Sequence, residues 1–290
     1  MFCLNLCEIF CENLLEGKRL ETLAKLALKN SGCKSEEDWG RIYAGSSFCS
    51  QYFLHINRWN ELIQYCREKG WKMTLTIPVF TQKDLDTAKE RIHQVLQEGE
   101  GVIDEITVND IGMLRYLANQ YPHRLNLGRL FFKDPRDARV RGYSDGSMTP
   151  AWLSSVTYMM EGLGIEREKI GGIELDRMSH EINLNGCELD GLTLGVHGPF
   201  CYMSTGNICK FASIPKPLEQ KFRPNTRCGM ECAKISEKYR ENFGGKTVDI
   251  LRYGRTVYYY EDGSQVVGKE TDREIYFPVV EIKEVAKEGV

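Results

Sequence analysis

The 290 residues carry 38 Lys and Arg against 41 Asp and Glu, a formal net charge of −3, and 42% of them are hydrophobic. Such a chain can fill one large core or two small ones, and its near-neutral balance makes no general case for nucleic-acid binding. No run reaches the roughly 20 apolar residues of a membrane span, and eleven cysteines without an export signal point to metal or catalytic chemistry in a reducing compartment rather than to disulfides.

The opening stretch, "MFCLNLCEIFCENLLEG", is apolar but lacks a basic leader and a small-residue cleavage site, and it carries Glu8 and Glu12. It is not read as a signal peptide, and a cytoplasmic location is expected. Its Cys3, Cys7 and Cys11 stand in C-x3-C-x3-C, one residue longer in the last interval than a radical-SAM cluster motif; they are placed in the core. Residues 41–48 read as a buried strand, and 56–70 as a helix stopped by Gly70. A strand over 72–80 and a helix over 81–99 follow, then a strand over 103–110 and a helix over 111–121. Residues 124–131 are a strand, 149–164 a helix, and 170–177 and 191–198 further strands. Strands alternating with helices at this spacing imply right-handed crossovers and a parallel sheet. Five or six such units in a row predict a closed or nearly closed barrel, an α/β, TIM-barrel-like (β/α) fold.

After Gly198 the pattern weakens. Residues 248–270 read as a hairpin turning at Asp262-Gly263, and 274–282 as another strand. The predicted organisation is a barrel-like domain over 1–247 that includes the cysteine cluster, with C-terminal strands over 248–290 that complete the barrel or form a β-rich appendage. Chemistry on such barrels sits at the C-terminal ends of the strands. That directs attention to Cys49, Asn109, Asp110, Arg129, Asp176, Arg177 and His197.

Four cysteines fall in "HGPFCYMSTGNICKF" and "RCGMECAKI". Cys201 and Cys209 are separated by seven residues, Cys228 and Cys232 by three, with an irregular loop between the pairs. Soft thiolates select zinc or iron–sulfur clusters. Structural zinc sites usually pair cysteines two to four apart in both halves, whereas cluster ligands are more loosely spaced. The spacing leaves cluster, zinc and no metal all open. On chemistry alone Cys49 is an ordinary buried thiol, and Cys33, Cys66 and Cys187 are structural. The stretch from Lys210 to Arg240 holds eight Lys and Arg against three Glu, either a solvated face or a basic rim over an anionic cofactor or substrate.

These segments resemble peptidase family U-32, the collagenase-like proteases. "HGPFC", "STGNIC" and "RCGMEC" follow the order of its cysteine signature, and "VIDEITVNDIGMLRYL", "GGIELDRMS" and "GRIYAGSSFCS" are similar to its strand–Asp–Gly–helix, strand–Arg–Ser and early Y-x-G segments. The resemblance covers about residues 35 to 240; the chain departs from the family in lacking an opening Pro-Ala-Gly segment and in carrying "NLGRLF" where H-x-S-T-Q is usual. It implies a barrel-like fold and, from the family's iron–sulfur members, a [4Fe-4S] cluster on four cysteines. Two types act as a heterodimer in anaerobic ubiquinone hydroxylation; others hydroxylate ribosomal or transfer RNA bases, with prephenate implicated as oxygen donor. One ligand pattern of the family needs a further cysteine beyond Cys232, which this sequence does not have. The other, that of the V-type subunit, maps onto Cys49, Cys209, Cys228 and Cys232, with Cys201 as the alternative fourth ligand.

A cluster on four thiolates carries negative charge that is costly to bury. Lys210, Arg223 and Arg227 are therefore expected at the cofactor, with Gly198, Gly206 and Gly229 letting backbone N–H groups approach it. Arg177 and Arg129 are candidates to grip a small dicarboxylate such as prephenate, or else ion pairs with Asp176 or Glu174. Asp110 is an acid or base, or the cap of the helix starting at Ile111. His197 stands beside the cluster, or simply ends a strand. The expected activity is oxygen-independent hydroxylation of a small anionic substrate with a related partner subunit. The alternatives are an electron-transfer subunit, an RNA-modifying enzyme using the basic stretch with Phe211, Phe222 and Tyr239, zinc in place of the cluster, and a peptidase. For the last there is no H-E-x-x-H, and a Cys–His pair among the eleven cysteines and five histidines is the candidate.

Overall fold

The computed structural model describes residues 1–9, 12–16, 18–31, 39–132, 158, 160–178, 181–187, 189–243, 246–261, 263, 266–282 and 285. Among them, eight parallel strands close a barrel: β1 (Phe2–Asn5), β2 (Trp39–Gly45), β3 (Lys72–Ile77), β4 (Ile103–Val108), β5 (Arg124–Leu127), β6 (Ile170–Asp176), β8 (Thr193–Gly198) and β14 (Arg273–Tyr276). Each pairs with its neighbour in sequence, and closure comes from β14 lying beside β1, with Phe2 opposite Glu274. Helices α1 (Arg19–Ser31), α2 (Ser50–His55), α3 (Trp59–Lys69), α4 (Leu85–Glu98) and α5 (Ile111–Gln120) lie on the crossovers between successive strands. In α3 the buried Trp59, Leu62, Ile63 and Cys66 recur at helical spacing, each fully buried large side chain contributing about 1.5–3 kcal/mol. Gly70, at φ 70°, ends the helix in the left-handed conformation.

Between β8 and β14 the chain leaves the barrel. It forms a second sheet, in the order β10 (Glu237–Phe243), β11 (Lys246–Tyr253), β12 (Thr256–Tyr260), β9 (Phe200–Thr205), all antiparallel. Two short strands, β7 (Ile182–Asn183) and β13 (Val266–Val267), pair separately. The β-rich part is thus inserted before the last barrel strand. It draws β9 and β10 from before residue 248 and returns β14 to the barrel.

Several expectations are corrected. The hairpin turns at Gly254-Arg255, not at Asp262-Gly263: Tyr253 and Thr256 are the last paired residues, and Gly254 supplies the positive φ, 57°, that a two-residue turn needs. The region read as one helix over 56–70 starts at Trp59, and α2 precedes it as a separate short helix. The strands expected to reach residues 48, 80 and 131 end at Gly45, Ile77 and Leu127. β1, unassigned from the sequence, is a barrel strand. The helix expected over 149–164 lies mostly outside the described residues.

The barrel's inside is polar. Along each strand one set of residues, such as Leu75, Ile106, Val108, Leu125, Ile173 and Leu194, joins the main hydrophobic core. The alternate set includes buried polar side chains hydrogen-bonded to one another across the lumen, beside a small cluster of Cys3, Cys7, Tyr43 and Ile275. Arg273 Nη2 donates to Glu105 Oε1 at 2.7 Å, Asn126 donates to Glu105 at 3.2 Å, and Thr107 donates to Glu174. His197 Nε2 lies 2.9 Å from Glu174 Oε2. Barrels of this kind more often fill the lumen with branched apolar side chains.

Candidate functional site

The C-terminal ends of the barrel strands and the second sheet together enclose the thiols. Cys49 follows β2, in extended conformation at φ −117°, just before α2. Cys209 precedes a 3-10 turn over Phe211–Ser213, whose Ser213 hydroxyl donates to the Cys209 carbonyl at 3.0 Å. Cys232 sits in the 3-10 turn Glu231–Ala233, entered through Met230 at φ 63°. The loop that carries Cys209, Cys228 and Cys232 is held by its own bonds, among them Asn225 N–H to the Asn207 carbonyl at 2.7 Å and Phe222 N–H to Ser213 Oγ at 2.9 Å.

Cys49, Cys209, Cys228 and Cys232 line one narrow cavity of about 20 Å³, room for about one water. Arg255 and Glu231 line it too. Among the described residues, no group of three or more His, Cys, Asp or Glu side chains is arranged to hold a metal ion as it stands. The thiols nevertheless feel one another. Burial pushes the Cys49 thiol up to about 11, with the charge of Arg255 opposing and that of Cys228 adding. Burial also raises Cys232, and the neighbouring charges of Cys49, Cys209 and Cys228 push it further. Cys228 is raised by burial, then by Glu231 and Cys209, against the Met230 N–H and Arg255. Arg255 Nε is shielded from solvent and meets no acceptor among the described residues. A carbon added at Gly254 would lie 4.0 Å from Cys232 Sγ, so the hairpin backbone passes close to the thiol.

Cys201 stands apart. It is fully buried on β9, with its Sγ 3.7 Å from the Pro199 carbonyl, and does not line the cavity. The basic residues expected at the cofactor do not line it either. Lys210 pairs with Glu237, Arg223 donates to the Glu219 carbonyl at 2.8 Å, and the Arg227 carbonyl accepts from Lys216. The Gly229 N–H turns to the Glu231 carboxylate, and the Gly198 backbone packs against Arg177. Arg255 had no signal beyond its place after a glycine between two apolar strands.

The remaining candidates are spread over distinct surroundings. Arg129, 2% exposed, donates to Asp176 Oδ1 at 3.0 Å and covers the Phe48 ring. Asp176 also accepts the Tyr202 N–H, so this ion pair fastens the barrel mouth to the second sheet. Arg177 pairs with Glu274 at 3.2 Å and faces another cavity, of about 220 Å³, with Asn30, Tyr260 and Tyr276. The two arginines therefore do not converge. Asp110 caps α5, its Oδ1 accepting the Met113 N–H at 2.9 Å. His197 lies inside the barrel on Glu174, and the Cys201 thiol reaches the His197 carbonyl rather than its ring. Burial raises Glu174 to about 7, against the Thr107 hydrogen bond and the charges of Arg129 and Arg273, while burial and Arg129 drive His197 well down. Of the three aromatics in the basic stretch, Phe211 is buried and Phe222 and Tyr239 are exposed.

No protein-family model and no curated protein matches the chain. No helix among the described residues is long and apolar enough to cross a membrane.

Proposed function

We propose that the chain is an iron–sulfur protein of the U-32 type, cytoplasmic, serving oxygen-independent hydroxylation of a small anionic substrate beside a related partner subunit. One observation carries this reading: Cys49, from the early barrel, lines the same cavity as Cys209, Cys228 and Cys232, from the insertion. Four thiols are the donor set of a [4Fe-4S] cluster, which supplies one-electron chemistry when bound. The chain's part is to surrender four thiol protons, since metal binding releases them. Arg255 would offset the charge that results. The cavity is narrow, and three of its thiols sit on a loop of 3-10 turns and irregular backbone. Such a segment can spread without breaking a strand ladder.

The test is anaerobic purification and reconstitution with ferrous iron and sulfide. The expected product is brown, with about four irons and four sulfides per chain, and Cys228→Ala loses colour and iron together. Colourless protein with one zinc per chain would select zinc, and protein that takes up neither would remove the reading. Consumption of prephenate by the reduced, loaded protein with its partner supports hydroxylation; electron transfer without consumption would assign the chain the electron-transfer role.

A further inference from the structure

Glu8 lies just beyond β1 at the barrel mouth, 4% exposed and with a left-handed backbone, φ 64°. That conformation is unfavourable for a glutamate and persists only where the surroundings enforce it. Here it delivers a carboxylate into the turn that follows β2. Glu8 Oε1 accepts the Ser46 hydroxyl at 2.7 Å, the Ser47 N–H at 2.6 Å and the Phe48 N–H at 2.9 Å. Ser46 Oγ in turn accepts the Cys49 N–H at 2.7 Å. A serine hydroxyl has one proton. Given to Glu8, it leaves the Ser46 lone pairs aimed at the Cys49 backbone. The carboxylate thus holds three successive residues of the turn, Ser46, Ser47 and Phe48, and reaches Cys49 through the Ser46 hydroxyl.

We propose that Glu8 is a positioning residue that presents the Cys49 thiol to the other three, resting on the reading of that cavity as a cluster site. It does not touch the thiol cavity, whose lining contains no part of β1 or its following turn. Its influence on Cys49 runs through the Ser46 hydroxyl, while Ser47 and Phe48 are held through their backbone N–H groups.

The experiment compares wild type, Glu8→Ala, Glu8→Gln and Ser46→Ala on two readouts. The first is iodoacetamide labelling of Cys49 in metal-free protein, read by peptide mass. The second is iron content and the EPR spectrum after anaerobic reconstitution. Glu8→Ala should label several-fold faster at Cys49 and yield a cluster with fewer irons and a three-iron EPR signal. Glu8→Gln, which keeps an acceptor oxygen, should recover much of the loss, and Ser46→Ala should reproduce part of it. If Glu8→Ala does not fold, the other two variants decide the question on the same readouts. Unchanged Cys49 labelling with wild-type iron and EPR in the variants would overturn the positioning role. A wild type that takes up no iron would overturn the cluster reading instead, while the labelling still reports whether Glu8 places Cys49.

Discussion

Arg255 lines the thiol cavity, with its Nε buried and meeting no acceptor among the described residues. An arginine in that position stabilises added negative charge, and it already opposes the rise of the Cys49 thiol. With a cluster bound, Arg255→Met should shift the reduction potential negative by about 40 mV, the equivalent of about 1 kcal/mol. Voltammetry of the reconstituted protein reads this, and an unmoved potential would mean that the charge is screened. Reasoning from the sequence favoured Lys210, Arg223 and Arg227 because they adjoin the cysteines along the chain. In an irregular loop adjacency says little about direction. Lys210 turns to Glu237 and Arg223 to a carbonyl of its own loop, while the guanidinium that lines the thiol cavity, Arg255, arrives from a hairpin.

The turn after β2 depends on Gly45. Its φ is 117°, and an added methyl carbon would lie 2.3 Å from the Thr76 carbonyl oxygen of β3. Relief would require breaking the Ser46 N–H bond to that same oxygen, 3.0 Å long. Gly45→Ala should therefore cost at least about 2 kcal/mol in a urea unfolding experiment, and should disturb Cys49 more than Cys232. The strands and helices were legible because their periodicities are local. Apolar residues recur every second position in β3 and β5, and at helical spacing in α3 and α4. Asp110 as a cap was legible for the same reason. The hairpin was misplaced because Asp-Gly is the stronger turn dipeptide, yet strand pairing of β11 with β12 selects Gly254-Arg255.

Across the lumen, Arg273 from the last strand meets Glu105 from the fourth, closing the barrel with an ion pair as well as a ladder. Burial raises the Glu105 carboxyl, but the hydrogen bonds and charge of Arg273, with the charge of Arg41, outweigh it and hold the group down at about 2. A folded value below the unfolded 4.5 means that the pair's stabilisation is present above about pH 4.5 and is lost as pH falls toward about 2. Denaturant titrations should show unfolding free energy declining through that window. Arg273→Met should cost about 1–3 kcal/mol at neutral pH by leaving the Glu105 carboxylate with only Arg41, at 3.5 Å, and Asn126 as partners, and should flatten the acid decline. An unchanged decline would show that other carboxylates govern it.

Alternating strands and helices and the barrel they imply could be taken from the sequence, because each is written in neighbouring residues or short spacings, whereas Cys49 was singled out as a ligand only by the family resemblance. Closure through Phe2–Asn5, the placing of the second sheet before Arg273–Tyr276, the ionic lumen and the meeting of Cys49 with Arg255 at one cavity were decided only in three dimensions. The physical reason is that such pairings join segments far apart along the chain, where register and charge complementarity select partners that no local pattern records.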